Sequence, residues 1–106
     1  MPSFRIAKSL AEAWVRITTE GEAELVASAT IARPYGWVFF YQSSQFLRDP
    51  TNTSAALTGN GPILIDRVDG EVRVLGTAHP TEWYLSEYEQ LLPAARLQMR
   101  PEQPSW

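Results

Sequence analysis

Apolar residues first recur at Ile6, Leu10, Ala13, Trp14 and Ile17, a spacing that lays one stripe along a helix, with Ser3 placed to cap its start. Gly21 ends or follows that helix. From Glu22 the period becomes two. Ala23, Leu25, Ala27, Ala29 and Ile31 alternate with Glu22, Glu24, Val26, Ser28 and Thr30, as in a half-buried strand whose alanines would let a helix approach closely. After the connection Arg33-Pro34-Tyr35-Gly36, the run "WVFFYQ" from Trp37 to Gln42 is apolar on both faces and predicts a central strand. Trp37, Phe39 and Tyr41 fall on one of its faces, Val38 and Phe40 on the other.

Residues 43–61 are long and turn-rich, and Phe46, Leu47 and Leu57 are placed to pin them to the body. Ile63, Ile65, Val72 and Val74 share a face of two strands joined at Asp69-Gly70, a two-residue hairpin signal that needs positive φ at both positions. Pro80 stands where the first residue of a second helix is expected, with Glu82 in the positive end of its dipole. Tyr84, Leu85, Tyr88, Leu91 and Leu92 form its buried stripe. After Pro93 no period is evident. The expected fold is therefore α+β in the order α-β-β-β-β-α, with a four-stranded antiparallel meander and both the N-terminal and C-terminal helices on one face. Trp14 and Ile17 would join Tyr84 and Tyr88 in one core. Residues 1–92 form the expected domain and 93–106 a tail.

Composition narrows the chemistry. A chain of 106 residues, 44% hydrophobic and 20% charged, is that of one ordinary globular domain with a genuine core. The absence of cysteine excludes disulfides, thiolate metal sites and cysteine nucleophiles. No apolar run approaches ~18 residues and "MPSFRIAKSLAEAW" lacks a signal-peptide core, so a cytoplasmic location without membrane association is the expectation. The net charge of -3 argues against a nucleic-acid partner.

Three candidate sites resolve toward architecture. Gly59-Asn60-Gly61-Pro62 resembles a phosphate loop, but it leads into a strand, lacks a nearby lysine and loses a donor at Pro62; it reads as a tight turn. Asp66 and Asp69 could pair for acid–base work, yet Asp69 is needed by its turn and Asp66 reads as a solvated charge beside Arg67 and Arg73. His79 is the single histidine, so no His-based metal cluster can form, and its place before Pro80 suits a residue that opens the helix. No catalytic residue, cofactor or metal is expected.

The aromatics leave two alternatives open. Two helices on one face cover only one set of strand aromatics, so the other meets the 43–61 loop, solvent or a partner. If a partner, the candidate surface is Tyr35, Trp37, Phe39, Tyr41 and Phe46, with Glu20, Glu22 and Glu24 steering a basic molecule toward it.

"GWVFFYQS", "LTGNGPILID", "DGEVRVLGT" and "PTEWYLSEYE" occur in an order that resembles the immunity protein 35 family of bacterial polymorphic-toxin systems. Gly36, Trp37, Gly59, Asn60, Pro62, Asp66, Gly70, Gly76, Thr77, Pro80, Tyr84, Leu85, Tyr88 and Glu89 match its pattern, over about residues 4 to 91. The resemblance implies a small α+β protein that neutralises a cognate toxin by stoichiometric binding without chemistry. Most of the matching residues, with Gly61 and Asp69 beside them, build a scaffold and do not locate the binding surface. The alternative is a chaperone-like module that oligomerises without a dedicated toxin.

Overall fold

Helix α1 spans Phe4–Thr18 and begins where the Ser3 side chain accepts the N–H of Ile6. The computed structural model describes residues 3–106, so Met1 and Pro2 of the expected domain lie outside the described residues. The helix buries Phe4, Ala7, Ala11 and Val15. Of the expected stripe, Ile6 and Ile17 stay 52% and 72% exposed, and Leu10 is also outside. The apolar arc of this helix is wider than one stripe. Its small residues face the sheet because Trp37 and Phe39 already fill the space there.

The strands are β1 Ala23–Leu25, β2 Ile31–Arg33, β3 Gly36–Phe39, β4 Tyr41–Ser43, β5 Ile63–Asp66 and β6 Val72–Val74. An antiparallel sheet runs β2-β3-β5-β6, while β1 and β4 form a separate two-stranded ribbon. The strand expected from Glu22 to Ile31 is thus interrupted. Leu25 pairs with Tyr41 and Ile31 with Val38, so residues 26–30 stand opposite residues 39–40 alone. The surplus is taken up by a short 3-10 turn at Ala27–Ala29, where small residues have little to hold a strand. Val26 N–H still reaches the Phe40 carbonyl at 2.8 Å, so the hairpin bends without coming apart.

The α+β class and the antiparallel four-stranded sheet hold, but the expected placing of both terminal helices on one face does not. Helix α1 packs on Trp37, Phe39, Ile63 and Ile65. The helix at Thr81–Glu89, α3, packs Leu85 and Tyr88 on Tyr35, Val38, Leu64 and Leu75, the opposite face. The cause is visible in the strands. Every residue of β3 and β5 is buried, so each face of the sheet needs its own cover. Trp14 and Ile17 therefore share no core with Tyr84 and Tyr88.

Between β4 and β5 lie α2, Ser44–Arg48, and a 3-10 turn at Thr53–Ala55. Gln42 holds this long connection as a strand would: its amide accepts the Leu57 N–H at 2.6 Å and donates to the Leu57 carbonyl at 3.3 Å. Asn60 donates to the Tyr41 carbonyl at 2.9 Å. After β6 come α3, Thr81–Glu89, and α4, Ala94–Leu97.

Residues 98–106 then cross to the α1 face. The Trp37 indole N–H donates to the Glu102 carbonyl at 2.8 Å, and the Glu102 carboxylate accepts the Phe4 N–H at 2.8 Å. A carboxylate at the first turn of α1 satisfies an orphan donor and complements the helix dipole. Trp106 packs edge-on against Phe4 and Phe39, with centroids 5.5 and 6.1 Å away, beneath the Lys8 ammonium. The aromatic row is covered by the chain itself.

Candidate functional site

The β5–β6 connection sets the geometry around α3. Asp66 N–H donates to the Glu71 carbonyl at 2.9 Å and Gly70 N–H to the Asp66 carbonyl at 3.0 Å. The turn is thus four residues, Arg67 to Gly70, rather than the expected Asp69-Gly70 pair. Gly70 alone takes a positive φ, 74°, while Asp69 uses its side chain to accept the Glu71 N–H at 2.8 Å.

Asp66, expected as a solvated charge, is 2% exposed. Its carboxylate accepts the Val68 N–H at 2.7 Å, Arg96 on both oxygens at 2.8 and 2.9 Å, and the Tyr88 hydroxyl. Burial pushes the carboxyl pKa up, but the Tyr88 hydroxyl, Arg96 and the Val68 N–H outweigh it and hold the pKa below the ordinary value. Tyr88 moves the other way, raised by burial and by the hydrogen bond it gives to Asp66. Beside it, Tyr35 donates to Glu89 at 2.7 Å and is likewise raised, by burial first and then by that bond. These groups bind one another. They fasten α3 and α4 to the hairpin turn.

What this fastening presents outward is a surface along α3 and β6. A groove of about 440 Å³ lies between them, lined among others by Val74, Leu75, Tyr84, Glu87, Tyr88 and Leu91. Val74 and Leu91 are 59% and 68% exposed at its rim. The Tyr84 hydroxyl accepts the N–H groups of Ala78 and His79 at 3.1 and 3.3 Å and fills the space a Cβ at Gly76 would occupy. Next to it the His79 ring stacks on the exposed Trp83 at 4.0 Å. Arg73 is held by Glu71 at 2.7 Å with its guanidinium over the Tyr88 ring.

The expected partner surface is not assembled. Tyr35, Trp37 and Phe39 lie in the core and offer no surface, because β3 is covered on both faces. Tyr41 is half-buried against Trp14, and Phe46 is half-buried on α2. Glu20, Glu22 and Glu24 are exposed around the start of β1. Among the expected scaffold positions, a Cβ at Gly36 would strike the Ile65 carbonyl, and one at Gly61 the Leu75 carbonyl. Gly59 turns with φ 74°, Pro62 is buried, and Pro80 caps α3 from just outside it. His79 opens that helix as expected, but as half of an aromatic stack. Trp83 was not legible as a surface residue; the spacing of four between His79 and Trp83 was the available signal.

Residues 6–91 match the family model described as Immunity protein 35. Over 54 residues the chain is 44% identical to "Uncharacterized protein YrhB" of Escherichia coli (strain K12), a stretch covering 51% of this chain and 56% of that protein. The chain thus spans about half the length of the curated relative it matches. No solved structure matches significantly.

Proposed function

Because the chain belongs to the immunity protein 35 family, we propose that it is the immunity partner of a bacterial toxin and neutralises that toxin by stoichiometric binding, without chemistry of its own. The match over residues 6–91 carries this reading, since it takes in the sheet, α1 and α3 together. The exposed groove between β6 and α3, with the Trp83–His79 stack beside it, supports the same reading: aromatic and aliphatic side chains held outward on a fixed scaffold are the usual anchors of protein interfaces. Glu20, Glu22 and Glu24 would add steering toward a basic toxin, chiefly through the association rate. No helix among the described residues is long and apolar enough to cross a membrane.

Co-expression tests it. The toxin domain encoded beside this chain is expressed with and without it, and growth is followed together with co-purification of the pair. Restored growth with a complex of fixed stoichiometry is the expected outcome. Restored growth without a complex would contradict binding as the mechanism.

A second reading, an oligomerising module, is favoured by the flank of α1, where Ile6, Leu10 and Ile17 are left exposed. Sedimentation of the isolated chain separates the two: a monomer up to high micromolar concentration leaves that flank to another protein.

A further inference from the structure

We infer that the open edge of β6 takes an extended segment of the toxin as an additional strand, with alternate side chains of that segment entering the groove beside α3. The inference rests on the immunity reading above. Its basis is the hydrogen-bond phase of β6. Asp66 N–H bonds the Glu71 carbonyl and Leu75 N–H the Pro62 carbonyl, so the Glu71 carbonyl, the Leu75 N–H and, by alternation, both backbone groups of Arg73 face β5. Antiparallel strands alternate, so the N–H and C=O of Val72 and Val74 point away from the sheet. β6 is an edge strand, and those groups have no partner among the described residues.

The opposite edge is managed differently. β2 runs into Pro34 directly after Arg33, whose guanidinium pairs with Glu82 on α3. Proline and fixed charge are common means of blunting an edge strand. β6 has no proline, and its one charge, Arg73, is drawn onto Glu71 and the Tyr88 ring on the α3 face, while Val74 is exposed.

The groove specifies what the added strand carries. Arg73 and Leu64 are cross-strand partners on the α3 face. Side chains of a strand docked opposite residues 73 and 75 would therefore point into the groove. There they meet Leu75, Tyr84 and Leu91, which suit an aliphatic or aromatic residue. Glu87, which lines the same groove and makes no ion pair among the described residues, suits a lysine or arginine two positions along. The occupant is thus an extended toxin segment that places an apolar and a basic residue on one face.

Amide exchange measured by NMR decides it, on the free chain and on its complex with the toxin domain encoded beside it, inactivated at its active site. The Val72 and Val74 amides are expected to exchange freely in the isolated chain and at least about tenfold more slowly in the complex. Val74→Pro removes an outward N–H that β5 does not use, and Glu87→Lys replaces the groove's carboxylate with a second cation beside Arg73. Each is expected to weaken binding about tenfold or more while melting near the parent. A complex in which both amides exchange as freely as before would overturn the inference and leave the immunity reading standing. Protection of both amides in the isolated chain that grows with concentration would overturn it in favour of a second copy. Failure of the unaltered chain to bind the toxin would sink both readings together.

Discussion

A carboxylate as buried as Asp66 is stable only while its partners stay in place, so substitution there or of its partners is costly. Asp66→Ala would leave Arg96 and Tyr88 without their acceptor and free the turn that Val68 anchors. The expected loss is about 3 kcal/mol, a fall in Tm of roughly 12–20 °C, read by thermal denaturation. Gly70→Ala, forced to hold a positive φ, should lose about 1 kcal/mol, and His79→Ala less than about 0.5. The pH dependence follows from the shifts. Asp66 has its pKa lowered on folding, so its contribution is complete above the ordinary 3.8 and is lost as pH falls through the lower folded value. Tyr35 and Tyr88 have theirs raised, so their contribution is complete below 10.0 and is lost as pH rises beyond it. Denaturant melts should therefore weaken below about pH 4 and again above about pH 10, and Asp66→Asn should flatten the acid limb. None of this was legible at position 66. Arg67 and Arg73 are its sequence neighbours, whereas Tyr88 and Arg96 lie 22 and 30 residues away and meet it only through the fold.

Strand and helix positions were easier to read than their faces. The "WVFFYQ" run holds as the central β3 only to Phe39, since Tyr41 and Gln42 leave for β4 in the separate ribbon; of the α3 stripe Leu85 and Tyr88 are buried, whereas Leu91 lies beyond the helix and is exposed. The buried face of α1 departs from its large apolar stripe because Ala7 and Ala11 are small enough to lie on an aromatic sheet. The same run of buried residues in β3 implies two covered faces, so the opposed helices were within reach of the sequence. The returning tail was not, since its contacts are a backbone carbonyl, one carboxylate and a terminal indole without periodicity. Removal of residues 100–106 should expose Phe4 and Phe39 and uncap α1. A loss of about 2–3 kcal/mol is expected, measurable by urea denaturation. Gly61→Ala should be at least as damaging, because its methyl would meet the Leu75 carbonyl across the β5–β6 ladder. Little or no change for either variant would show that these contacts contribute nothing to folding.

On the proposed reading, the exposed outer side of α3 and β6, rather than the fastened interior, is the part that meets the toxin. Trp83→Ala should leave the melting temperature almost unchanged, since the ring is 44% exposed and stacks on His79 and Tyr84 at the surface. It should nevertheless weaken toxin binding by about 2 kcal/mol, as loss of an interface anchor does. Titration of active toxin with this chain tests stoichiometric neutralisation most directly. The account predicts that toxin activity falls linearly to zero and reaches it at one fixed molar ratio, whatever the incubation time. Complete loss of activity at a small fraction of that ratio, deepening with time, would contradict it and make the chain a catalyst.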